Sequence, residues 1–63
     1  MGEVRDLAVI AEADLVKAWV ALKRLEEAQE TAGAIAQAAH TMGWIDVVGS
    51  LAREVTDLID WVK

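Results

Sequence analysis

Read at 3.6 residues per turn, the first third of the chain is apolar on two opposite sides of a helix. Val4, Leu7, Ala11, Leu15, Ala18, Leu22 and Leu25 fall on one stripe, and Val9, Ala13, Val16 and Val20 fall almost directly opposite. One helix therefore carries two seams to bury. It opens near Gly2 or Glu3, where Glu3 and Asp6 set negative charge at the positive end of the helix dipole. Ala, Leu, Glu, Lys, Arg and Gln dominate through Glu30, and all are good helix formers.

Thr31, Ala32 and Gly33 form the first weak point. Ala32, Ala36 and Ala39 extend a stripe of small residues that lets a second helix approach closely, which favours continuation through Gly33 over a break there. The stronger stop signal comes ten residues later. Gly43 suits the left-handed position just past a helix C-terminus, His40 would lie in the last turn, and Trp44 would pack back on Ala38 or Ala39. A second helix then starts with Asp46 as its cap, or with Ser50 if it begins a turn later. It carries Val47, Val48, Leu51, Val55, Leu58, Ile59 and Val62 on one face.

The spacing thus predicts an all-α chain forming one domain over 1–63. It is an unequal helical hairpin with a long helix over about 3–42 and a short one over about 46–62. Arms of about 40 and 17 residues would measure roughly 60 and 25 Å. The short arm would cover only Leu22 to Ala39, leaving the two-seamed stretch from Val4 to Val20 open. An oligomeric helical bundle follows, most simply a dimer with four helices.

Size sharpens that expectation. A domain of 63 residues buries only roughly 60% of its unfolded surface and normally requires a staple. With no Cys and a single His, the chain offers neither a disulfide nor a histidine–cysteine metal cage, so no metal or cofactor is expected. Its 56% hydrophobic content suits the remaining route, association.

Net charge of −5 repels phosphate backbones and anionic lipid, which argues against nucleic acid and membrane surfaces as partners. The longest uncharged stretch, Thr31 to Ile45, is shorter than a membrane-spanning helix, and acids interrupt the N-terminal segment where a leader would be apolar. A cytoplasmic protein is the expectation. The alphabet lacks Pro, Phe, Tyr, Asn and Cys, as in a designed helical bundle or a small helical protein from an alanine-rich genome.

Few residues invite chemistry. His40 beside Asp46 or Glu30 suggests a base or ligand, but a histidine at a helix end more simply meets a terminal carbonyl. Lys17, Lys23 and Arg24 form the one basic cluster, offset by Glu26, Glu27 and Glu30 as on a solvated helix face. Asp14 flanks the main stripe, where a carboxylate reaches water or pairs with Lys17.

The residues assigned to binding are Val9, Ala13, Val16 and Val20, together with Trp19 and Trp61, which fall outside the main stripes of their helices. Spacings of four, three and four along the valine seam are those of helices packing on similar helices. The function expected is a non-catalytic self-assembling or protein-interaction module. The alternative is a small acidic regulatory binder, inhibitor-like or antitoxin-like, of another protein.

Overall fold

The turn lies at Gly33, and the two arms are nearly equal. In the computed structural model, which describes residues 2–61, α1 spans Gly2–Thr31 and α2 spans Ile35–Trp61. The prediction of one helix over 3–42 is corrected: α1 ends at Thr31, and the chain reverses where continuation was expected. The backbone at that point forms a complete C-terminal cap. Gly33 takes φ +80°, its N–H donates to the Glu30 carbonyl at 3.0 Å, and the Ala34 N–H donates to the Gln29 carbonyl at 2.8 Å. This six-residue arrangement satisfies carbonyls that a helix end leaves open, and it requires a left-handed residue that glycine adopts without a Cβ clash.

Gly43, the predicted turn, is inside α2, and a Cβ built on it meets nothing within 4 Å. Both glycines can adopt the turn conformation, so local propensity does not separate them. Packing does. Reversal at Gly33 pairs arms of 30 and 27 residues along their whole length, whereas reversal at Gly43 would strand half of the longer arm. His40 is accordingly in the second turn of α2, Trp44 is an exposed residue on that helix, and Asp46 and Ser50 are interior positions, not caps. The predicted end of the second helix at Val62 lies outside the described residues.

The seam between the helices repeats every seven residues. On α1 it follows Ala8, Glu12, Leu15, Trp19, Leu22, Glu26 and Gln29; on α2 it follows Ala38, Thr41, Ile45, Val48, Ala52, Val55 and Ile59. Steps of three and four on both strands of this seam are those of an antiparallel coiled coil. It coincides with neither stripe predicted for α1 and runs between them, taking Leu15 and Leu22 from the edge of the first. Three contacts set the register: Thr41 with Gln29, Thr56 with Glu12, and Gly49 with Trp19.

The seam is polar at several levels. Thr41 is fully buried, and its hydroxyl lies 2.7 Å from Gln29 Oε1 and 3.1 Å from the Gln37 carbonyl. Glu26 is buried as a residue, and neither of its carboxylate oxygens is left both shut off from water and unpartnered. Polar groups in a coiled-coil seam fix register at a cost in stability. Replacing Thr41 by valine keeps the shape and removes the interhelical hydrogen bond; the half-buried Gln29 amide can turn to water, so the expected loss is about 1 kcal/mol by chemical denaturation.

Candidate functional site

Among the described residues, the apolar side chains that become buried are Ala8, Ala38 and Ile45. The hairpin is a rod with extents of 49 × 14 × 10 Å, and its radius of gyration of 14.5 Å exceeds the roughly 11 Å of a compact domain this size. Its accessible surface is 4808 Å², against about 4,000 Å² for a compact chain of 6.8 kDa. Two helices side by side have no second layer to cover their flanks. Among the described residues, the candidate surfaces therefore lie on those flanks.

The two sides of the hairpin differ. One side carries a cleft of about 520 Å³ bordered by Val16, Trp19, Asp46, Gly49 and Arg53, and a smaller one near the turn bordered by Glu30, Ile35 and Met42. Gly49 shapes the larger cleft. A Cβ built there would sit 3.5 Å from Trp19 Nε1, so the indole of α1 rests against α2 where that helix has no side chain. Lys23 Nζ is 5.5 Å from the centre of the same ring, a cation over the negative face of an indole. Val9, Ala13, Val16 and Val20 border this side on α1. On α2 the side is apolar near the turn, at Ile35 and Met42, and polar from Asp46 onward, with Asp46, Arg53, Thr56 and Asp60 at helical spacing.

Since those flanks share one side, the remaining flanks share the other. There α1 presents Val4, Leu7, Ala11, Ala18, Ala21 and Leu25, and α2 presents Trp44, Val47, Leu51, Leu58 and Trp61. Every large one of these side chains is exposed, from 41% for Leu58 to 85% for Trp61. At these exposures Trp44 and Trp61 alone leave on the order of 300 Å² of indole open, at two points about 25 Å apart along α2. Among the described residues, the polar side chains on this wide face are Asp14, Gln37, His40 and Glu54.

The residues assigned to binding from sequence are therefore divided. Trp61 belongs to the wide face, Val9, Ala13, Val16 and Val20 to the narrower side, and Trp19 to the seam beside the cleft. Sequence reading passed over Trp44, Leu51 and Leu58 as a surface, because with a turn at Gly43 they counted as turn packing and as the inner face of the second helix. The step of seven from Trp44 to Leu51 to Leu58 was the available signal.

His40 and Asp46 lie on different faces of α2, and Lys17 and Arg24 share the outward face of α1. Among the described residues no group of three or more His, Asp or Glu side chains is gathered closely enough to hold a metal ion, and no helix is long and apolar enough to cross a membrane. Comparison of the chain with protein-family models, with curated proteins and with solved structures returned no match.

Proposed function

We propose that the chain is a non-catalytic self-assembling module whose folded unit is a homo-oligomer of hairpins. The observation that supports this most is the open surface. A hairpin exposing 4808 Å² buries about half of the surface its extended chain would expose, below the roughly 60% usual for a domain this small. The excess over a compact chain, about 800 Å², equals one partner's share of a standard protein–protein interface. Covering it with a second copy adds the missing layer and turns two helices into four.

Mass in solution tests the reading. At micromolar concentration and above, sedimentation equilibrium should give at least twice 6.8 kDa, and the melting temperature should rise with protein concentration. A well-folded 6.8 kDa species at high concentration would overturn it.

A second reading follows from the net charge of −5, which suits a regulatory binder of a basic protein. Salt separates the two. Association of like-charged copies tightens as salt screens their repulsion, whereas docking of opposite charges weakens.

A further inference from the structure

The reading of this chain as a self-assembling module leaves open which surface is used, and the hairpin offers two. We propose that a second copy of the chain covers the wide face carrying Trp44, Leu51 and Leu58, turned about a two-fold axis parallel to the helices. This rests on the self-assembly reading and adds the face and the orientation.

Three observations favour that face over the valine side. Both helices are apolar on it along their length, whereas the valine side joins an apolar flank of α1 to a flank of α2 that carries Asp46, Arg53 and Asp60 beyond its first turns. Among the described residues the basic ones, Arg5, Lys17, Lys23, Arg24 and Arg53, all lie elsewhere, so none of them gives the face a cation that an acidic partner or anionic lipid would select. The wide face also exposes the bulkier side chains, eight large ones at 41–85% including Trp44 and Trp61, against Val9, Val16 and Val20 at 39–47% on the α1 flank of the valine side, and the chain's excess of about 800 Å² is of the size one copy contributes to a stable dimer.

Orientation follows from the register set by the Thr41–Gln29, Thr56–Glu12 and Gly49–Trp19 contacts. That register brings Ala18 level with Leu51 and Ala11 level with Leu58. One helix of the face thus bears a row of small residues and the other a row of bulky ones at matching heights. Rotation about an axis parallel to the helices lays the bulky row of each copy on the small row of its partner. Facing large and small residues in this way fills space without voids. Both turns then lie at one end of the assembly. The same rotation brings Asp14 level with the partner's Glu54, a like-charge pair at the rim that costs affinity and reports the orientation.

The experiment is sedimentation equilibrium on three variants, with far-UV circular dichroism to follow helix content. Leu51→Glu should raise the dimer dissociation constant at least a hundredfold, Val16→Glu should change it less than threefold, and Glu54→Lys should lower it several-fold by turning two repulsive pairs into attractive ones. Because Leu51→Glu could also lose helix, a chain retaining Trp44 as its sole tryptophan, made by Trp19→Phe and Trp61→Phe, gives an independent readout. Its emission should shift to the red on dilution through the dissociation range. A dimer broken by Val16→Glu and indifferent to Leu51→Glu, or Trp44 emission equally red in dimer and monomer, would overturn the choice of face. Unchanged or weaker association of Glu54→Lys would overturn the orientation. A wild-type monomer at all concentrations would instead remove the self-assembly reading on which both depend.

Discussion

Replacing Ile45 by alanine is expected to cost about 2–4 kcal/mol and to leave much of the chain unfolded at micromolar concentration. Of the three buried apolar residues among those described, Ala8 and Ala38 contribute one methyl each, and only Ile45 is large. The substitution removes three carbons at about 0.8 kcal/mol each, before any term for the space left behind. Water in the adjoining cleft at Trp19 and Gly49 can enter that space, which holds the cost below the upper end for closed cores. A domain of this length has a total stability of only roughly 3–9 kcal/mol, so one side chain decides whether it folds. Urea unfolding followed by circular dichroism at fixed protein concentration measures it. Asp57→Ala, on the outward face of α2, is the matched control and should stay within about 0.5 kcal/mol. Equal midpoints for the two variants would mean that Ile45 is not the centre of the hairpin.

The two glycines should respond to alanine with opposite signs. At Gly33, φ +80° places a Cβ against the backbone, so Gly33→Ala should cost about 1–2 kcal/mol and lower the melting temperature by roughly 5–10 °C. Gly43 sits mid-helix with open space around its missing Cβ, so Gly43→Ala should add about 0.5–1 kcal/mol from helix propensity and raise the melting temperature by a few degrees. Thermal unfolding of both variants at one concentration is sufficient. If the chain reversed at Gly43, the two signs would be exchanged.

The helical character of the chain was legible because it is written locally. An uninterrupted run of good helix formers, the absence of Pro and the period of 3.6 all act within a few residues of one another, and they require no knowledge of the rest of the chain. The surplus of apolar surface on α1 was legible for the same reason. Val4 and Leu7 on one stripe and Val9, Val16 and Val20 on the other are exposed in the hairpin, as two seams on one helix imply when only one neighbour is present.

The hairpin seam was not legible from apolar positions alone. It passes through Glu12, Glu26, Gln29 and Thr41, so a search for hydrophobic stripes slides off it to either side. One trace of it does survive in the chain. The steps of three and four run unbroken from Ala38 through Thr41, Ile45 and Val48 to Ala52, across Gly43, whereas Ala38 follows Gln29 by nine residues, out of phase with the seven-residue repeat at the observed turn.

What this sequence determined by itself is that the chain is helical, that it can reverse at a glycine, and that its first helix holds more apolar surface than one partner helix can cover. Which glycine makes the turn, which face of α1 meets α2, and therefore which side of the hairpin gathers Trp44, Leu51 and Leu58 beside Ala11 and Ala18, were decided only in the tertiary structure. The reason is that helix formation depends on neighbours a few residues apart, while the position of the turn depends on matching two arms along their entire length. Moving the turn by ten residues leaves every local preference almost unchanged and alters every contact between the helices.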